Sequence, residues 1–236
     1  MKNKGIHVWR RFLLLLIFCL GIFGCGDTIN NTETPRLPGS ITGTIGNIND
    51  QVLPDVVVDC TEVSTKIRLT TRTDKNGYFR FLDLADGKYL LRSEKSGYVP
   101  FNIVTMVRDG LRVDLSGNIL TADEISFFFG PAHPYNSQLG LVGSYVRTGK
   151  NAGLSGASVS LSPNSYSALG YQIQDFSFDW TATSIVAGYA MFYNVAPGNY
   201  TLTASKSGYT MFPDSYTDLP VIAGEITQAS FFPAAQ

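Results

Sequence analysis

Few side chains in this sequence are placed to do acid–base or metal chemistry. Of two histidines, His7 lies near the N-terminus and His133 sits between Pro131 and Pro134, so neither a multi-histidine zinc site nor a Ser-His-Asp arrangement has the residues it needs. Carboxylates occur close together at Asp123-Glu124 and at Asp175 with Asp179. A glycosidase, however, must hold its pair apart across a cleft, which a small domain rarely offers. Thr73-Asp74-Lys75-Asn76-Gly77 has the look of a calcium loop, yet calcium wants about six to eight oxygens and this stretch supplies two side chains. A hairpin turn explains the same residues, with Asp and Asn bonding back to the backbone and Gly77 free to take positive φ. Neither a phosphate-cradling glycine loop nor a dinucleotide fingerprint is present. No catalytic residue, cofactor or metal is therefore expected, and the chain reads as a non-enzyme.

What remains is stacking and acylation. Within "NSYSALGYQIQDFSFDWTATSI" (164–185), Phe176, Phe178 and Trp180 alternate with Ser177 and Asp179, and Tyr171 lies close by. Rings on one strand face, flanked by Gln172, Gln174, Asp175 and Asp179, form a platform on which a sugar stacks while amides and carboxylates take its hydroxyls. The same alternation equally describes the inner face of a β-sandwich. Tyr171, Phe176, Phe178 and Trp180 are thus candidate ligand residues with core packing as the alternative. Cys60 ends the apolar run Val56-Val57-Val58-Asp59-Cys60 and reads as a buried, inert thiol.

Cys25 reads differently. Lys2, Lys4, Arg10 and Arg11 form a basic region, Phe12 to Phe23 is apolar apart from Gly21, and Ile22-Phe23-Gly24-Cys25 comes next. Such a run falls short of the ~20 residues of a spanning helix and suits the core of an export signal. The order apolar, any, small, Cys resembles the bacterial lipobox, which implies cleavage before Cys25 and acylation of its thiol and new amino group. Removing 1–24 lowers the basic count from 18 to 14 against 19 acids, a net −5. No basic stripe remains for nucleic acid. Gly26 after the cysteine resembles diderm lipoproteins sorted to the outer membrane, so an outer-membrane lipoprotein facing periplasm or medium is expected, with the membrane as partner through its lipid.

Only folded elements can hold the candidate side chains in place, and the chain beyond Cys25 divides clearly into them. Residues 25–36 are polar and proline-punctuated, a tether. Then "NGYFRFLDLADGKYLLRSEKSGY" (76–98) returns as "AGYAMFYNVAPGNYTLTASKSGY" (187–209), and Lys95-Ser96-Gly97-Tyr98 recurs as Lys206-Ser207-Gly208-Tyr209. "ITGTI" (41–45) parallels "LVGSY" (141–145), and the aromatic runs Phe127-Phe128-Phe129 and Phe231-Phe232 close each copy. The map is a leader at 1–24, the tether, a first module at 37–131, a linker at 132–138 whose "GPAHPYNSQ" surroundings have no apolar period, and a second module at 139–236. Period-two alternation broken by turn residues predicts strands throughout. Tyr78, Arg80, Leu82 and Leu84 are expected on one face of 78–84 and Phe79, Phe81 and Asp83 on the other. Gly87 and Gly198 are expected at positive φ in tight turns. No stretch carries a capped helical stripe.

Thr73-Asp74-Lys75-Asn76-Gly77-Tyr78-Phe79-Arg80-Phe81, then Leu84, Gly87, Tyr89, Leu91 and Gly97-Tyr98, resembles the carboxypeptidase regulatory-like (transthyretin-like, prealbumin-like) domain. The resemblance implies an all-β fold of two tandem immunoglobulin-like sandwiches and is silent on activity; the zinc peptidase domain that accompanies the module in carboxypeptidases is not encoded. The related collagen-adhesin B-type repeat crosslinks itself through a Lys–Asn isopeptide bond and a buried Glu. Ser93 and Ala204 stand where that Glu would be, so self-crosslinking is not expected. The reading is a lipid-anchored binding or scaffold protein with a protein or glycan partner. The alternatives are a carbohydrate-binding protein using the 164–185 aromatics, and an accessory protein of an envelope peptidase or receptor system. Blocking lipoprotein signal cleavage with globomycin, or Cys25→Ser, should leave an uncleaved precursor and abolish labelling by an alkyne fatty acid. Normal processing of Cys25→Ser would rule out acylation at this residue.

Overall fold

The apolar runs are short, rich in β-branched and aromatic residues and broken by Gly, Pro, Asp and Asn, so they pair as strands rather than bury themselves as helices. The computed structural model describes residues 38–149, 152–174 and 177–234; the leader, the tether, Cys25 and Phe176 lie outside them. The first repeat contributes β1 (Gly39–Gly46), β2 (Val57–Glu62), β3 (Arg68–Arg72), β4 (Tyr78–Leu84), β5 (Gly87–Glu94), β6 (Phe101–Val107), β7 (Arg112–Asp114) and β8 (Gly117–Asn118), followed by α1 (Ala122–Phe129). The second contributes β9 (Gly140–Gly149), β10 (Ala152–Gly153), β11 (Ser158–Ser162), β12 (Ala168–Gln174) and β13 (Ser177–Asp179). It continues through β14 (Tyr189–Val195), β15 (Gly198–Ser205), β16 (Met211–Phe212), β17 (Ser215–Val221) and β18 (Ile226–Pro233).

Three sheets result. One small sheet runs β4-β1-β7 with β8 also beside β1, and another runs β11-β15-β17. Between them a long sheet runs β13-β12-β14-β9-β18-β6-β5-β2-β3. It crosses from one repeat to the other where β18 pairs in parallel with β6, Ile226 opposite Phe101 through Ala229 opposite Val104. Because neighbouring residues point to opposite faces of a strand, β6 serves two cores. Val107 packs with Ile41, Phe79, Phe81, Cys60 and Leu91 beneath the first small sheet, whereas Val104 packs with Val142, Phe192, Leu202 and Ala229 beneath the second. The two small sheets therefore cover opposite faces of one long sheet, making two β-sandwiches of opposite sense. Cys60 is buried, and burial pushes its thiol up to about 12.

The residues shared by the repeats are explained locally. Tyr89 Oη donates to Ala85 O at 2.9 Å and Tyr200 Oη to Ala196 O at 2.7 Å, the tyrosine corner of sandwich folds. Lys95 Nζ donates to Pro54 O at 2.8 Å, and Lys206 Nζ likewise reaches Ser155 O, so the Lys-Ser-Gly-Tyr tetrad ties a turn to the facing loop. Asp74 Oδ1 accepts from Asn76 N and Tyr78 N at 2.8 and 2.9 Å. That confirms a turn, although it links β3 of one sheet to β4 of another and is not a hairpin.

Four expectations are corrected. Positive φ is found at Gly198 (158°), as expected, but not at Gly87; Gly77 (71°) and Gly188 (91°) take it as well. A Cβ on Gly77 would lie 2.6 Å from Ile45 O. The alternation of 78–84 breaks at Asp83, left-handed at φ 56° like Asn194 at 53° in the equivalent place. Short polar side chains tolerate that conformation, and the bulge turns Leu84 inward while Leu82 stays exposed. The aromatic runs are not equivalent, since Phe231-Phe232 belong to β18 and Phe127–Phe129 to a helix. Thr121 caps that helix in a capping box with Glu124, a Thr-x-x-Glu signal legible in the sequence. Finally, the junction packs onto the second repeat. Tyr135 Oη donates to Gly224 O at 2.7 Å, Tyr193 Oη donates to Pro134 O, and His133 stacks on Trp180 with centroids 4.0 Å apart.

The seam is fastened by charge. Glu225, nearly buried, accepts from Arg92 Nη2 at 2.8 Å and from the fully buried Asn102 Nδ2 at 2.8 Å. Arg92 also pairs with Glu94. Beside it, burial of Asp59 opposes ionisation, but the hydrogen bonds from Arg68 and Thr70 and the charges of Arg68 and Arg92 outweigh it and hold the carboxyl below its usual value. Glu225→Ala would leave Arg92 only the exposed Glu94 and Asn102 Nδ2 only Ile226 O, and truncating one member of a buried pair costs about 2–4 kcal/mol. Equilibrium denaturation should show that loss; stability within experimental error of the parent would mean that the pair does not hold the seam.

Candidate functional site

Opposite coverage leaves bare, on the second repeat's outer face, the part of the long sheet that β4-β1-β7 does not reach. Helix α1 and the junction cover most of it. Ile125 and Phe129 pack with Leu141, Met191, Tyr193 and Ile226 in a third apolar cluster. Between the end of β8 and the start of α1 a cleft of ≈ 250 Å³ stays open. Its floor is Gln228 and Ile226 of β18 with Tyr189 and Met191 of β14. The first repeat adds Phe101 and Ile103 from β6, Asn118 from β8 and Phe128 from α1. Tyr145 and Arg147 of β9, Gln172 of β12 and Phe178 of β13 complete the wall.

Glycines make the space. Tyr189 lies across Gly143, where a Cβ would fall 2.1 Å from its hydroxyl. Trp180 lies across Gly170, where a Cβ would fall 2.6 Å from the indole. Tyr145 and Tyr189 stand 4.3 Å apart between centroids, and the Arg147 guanidinium sits 3.6 Å above the Tyr145 ring. Burial pushes the Tyr189 phenol well above its ordinary value, with Tyr145 adding to the rise and Arg147 opposing it.

The sequence-derived candidates separate here. Tyr171 is 2% exposed, in the second sandwich's core on the opposite face of β12, so it leaves the site. Phe176 lies outside the described residues. Phe178 and Trp180 do face the same side, 5.7 Å apart, but only Phe178 lines the cleft. Trp180 stands behind it against Phe129 at 5.8 Å and His133. Asp179 is turned to its own loop, accepting from Thr181 N, Thr181 Oγ1 and Ala182 N. The hydrogen bonds from Thr181 lower its pKa, and it is not presented to a ligand. Asn118, Tyr145, Arg147, Tyr189 and Gln228 were not singled out from the sequence, because β9, β14 and β18 meet only through long-range pairing and Asn118 reaches them from the first repeat.

A second, wider cleft of ≈ 760 Å³ opens on the opposite face, lined by Glu62, Lys66, Lys88, Asn199 and Asp218 among others. Glu62 and Lys88, two of its charged groups, are engaged within the protein. Glu62 accepts from Thr65 N at 2.7 Å and from Ser64 Oγ at 2.7 Å, and hydrogen bonds from Thr65 and Ser64 pull its carboxyl down to about 2. Lys88 Nζ donates to Thr217 O at 2.8 Å. The smaller cleft, lined from both repeats by rings and by Asn118, Gln172 and Gln228, is the candidate site. Among the described residues no group of three or more His, Cys, Asp or Glu could hold a metal ion, and no helix is long and apolar enough to cross a membrane.

Residues 40–116 match the sequence model of the carboxypeptidase regulatory-like domain. No curated protein matches the chain. Solved structures with a similar fold include the TIE protein of Bacillus anthracis, at 16% identity and TM-score 0.33 over 84% of this chain and 34% of that one. A streptococcal ancillary pilin is similar at 15% identity and TM-score 0.31, over 86% of this chain and 64% of that one. The minor pilin GBS52 of Streptococcus agalactiae is similar at 12% identity and TM-score 0.29, over 84% and 97%. The chain spans about a third of the first of these proteins and just under two thirds of the second.

Trp180 supports the cleft wall through Gly170, Phe129 and His133 and is only half-buried. Trp180→Ala should therefore lower stability by about 2–4 kcal/mol and speed proteolysis at 130–138, while the chain still folds. Unchanged melting and unchanged cutting would show that the indole does not hold the junction.

Proposed function

With residues 40–116 a carboxypeptidase regulatory-like domain, we propose that the chain is a non-enzymatic cell-envelope lipoprotein, held at the outer membrane through acylated Cys25, whose paired repeats form a binding module. The observation that carries this reading is the cleft itself, lined from both repeats by rings and a few convergent polar groups, the usual make-up of a ligand site. Two or three acyl chains at ~0.8 kcal/mol per buried methylene would hold it firmly on a bilayer, with 25–36 as tether. A carbohydrate ligand, the second reading, is favoured by the neighbouring Gln172 and Phe178 of the aromatic insertion, one amide and one ring on the same wall.

Filling the cleft tests the proposal. Met191→Trp places a larger side chain on the floor without touching the seam pairing. The detergent-solubilised chain should retain an envelope component, protein or glycan, that a matched Met191→Trp variant of similar melting temperature fails to retain. Identical retention by both would sink the reading.

A further inference from the structure

Exposed apolar side chains gather where the described chain enters its first strand. Gly39 opens β1 wedged against the end of β6, where a Cβ would collide with Val107 Cγ1 and lie 3.1 Å from Leu111 O. Leu111 N donates to Arg108 O at 3.0 Å, closing the turn that follows β6, and the Leu111 side chain is 57% exposed. Because β18 runs parallel to β6, its last residues reach the same end. There the exposed Phe232 pairs with Phe212 of β16, and the Arg108 guanidinium lies 3.8 Å from the centroid of the Phe212 ring. Ala234 N donates to Thr210 O at 2.8 Å, which brings the exposed Tyr209 to this end too. The patch draws on both repeats and shares no residue with the cleft. Phe127, the most exposed ring among the described residues, sits elsewhere, since α1 follows β8 and β8 pairs with Ile45 and Gly46 at the far end of β1.

An aliphatic side chain beside rings and a guanidinium suits a boundary between lipid and water. Aromatic rings favour the headgroup level, and arginine rests its stem on apolar surface while its charge stays in water. Arg108 and Arg112 flank Asp109 in the same turn, so charge is nearly balanced and apolar burial must carry the contact. The covalent chain selects the occupant. Cys25 precedes Gly39 by 14 residues, a stretch that spans no more than ~50 Å fully extended. An acylated Cys25 therefore tethers the fold to its bilayer by this end. Contact is then intramolecular, and a patch too small to hold vesicles by itself suffices at the effective concentration that the tether imposes.

We infer that this end of the molecule docks on the bilayer that holds Cys25, with Leu111, Phe212 and Phe232 at the boundary of headgroups and acyl chains. The inference rests on the acylation proposed above. The test is tryptophan quenching on the exported chain, reconstituted in vesicles of phosphatidylethanolamine and phosphatidylcholine with the latter brominated on its acyl chains. Two reporters, Phe232→Trp and Phe127→Trp, are each read against the native Trp180 emission of the parent. Bromine should quench Phe232→Trp and leave Phe127→Trp at the parent's level. Adding Leu111→Asp to the Phe232→Trp reporter should lower the docked-to-free ratio roughly 10-fold, about the loss of one buried apolar side chain, whereas Leu111→Met should preserve it. Equal quenching of the two reporters overturns the docking, as does indifference to Leu111→Asp. A Phe232→Trp emission that shifts to the blue without quenching puts the patch against another protein and overturns it as well. If any of these occurs while the chain carries alkyne fatty acid and floats with the vesicles, the anchor at Cys25 stands and the docking alone falls. A chain that is neither labelled nor floated sinks both readings. An unlabelled chain whose Phe232→Trp is quenched by added vesicles keeps the docking and removes the anchor.

Discussion

The parallel pairing of β6 with β18 is the constraint on which the rest of the described structure depends. Both would be edge strands in isolated repeats, each presenting unpaired N–H and C=O groups that invite another chain. Joined from Ile226 opposite Phe101 to Ala229 opposite Val104, they satisfy each other and make one continuous sheet. The join also decides where charge can be buried. Glu225 is tolerated at the seam because Arg92 and Asn102 meet it from the first repeat; without them an isolated buried carboxylate would be strongly unfavourable.

One consequence is the alternation of cover. A strand has two faces, and β6 gives Val107 to one core and Val104 to the other. The small sheets consequently sit on opposite sides of the long one, and each leaves a strip uncovered where it stops. The cleft beside α1 and the wider cleft lined by Glu62 and Lys88 are those two strips. They differ because the first is roofed by a capped helix and aromatic rings, whereas at the second Glu62 bonds to its own turn and Lys88 reaches across to Thr217 O.

The repeats also diverge where the second one carries its insertion. β3 pairs with β2, but its positional counterpart β12 pairs with β14 and then with β13. That change of sheet widens the outer face of the second sandwich, brings Gln172 and Phe178 to the cleft and sets Trp180 on Gly170. The insertion thus builds the support of a site whose other half belongs to the first repeat. A binding role for the module rests on this shared construction more directly than on any one residue of the insertion.

Much of the architecture was legible in the sequence because its causes are local. Period-two alternation produced strands, the recurring Tyr89 and Tyr200 produced the same corner twice, and Asp74 with Gly77 produced a turn, each within a few residues of chain. The capping box at Thr121 and Glu124 was equally local, but the run Phe127-Phe128-Phe129 resembles a strand's apolar run as closely as a helix's buried stripe. Asp83 and Asn194 escaped notice because a bulge depends on the register of the partner strand, which alternation alone cannot reveal. The site was hidden for the same reason on a larger scale. Ile103 and Gln228 are neighbours only through the seam, and Tyr171 left the platform because β12 turned its odd face inward once it joined β14. Composition and spacing determined that the chain is mostly β, is repeated, and has few residues for acid–base or metal chemistry. Which edges met, and hence which side chains surround a cavity, was decided by backbone hydrogen bonding between distant strands, an interaction that carries almost no side-chain signature.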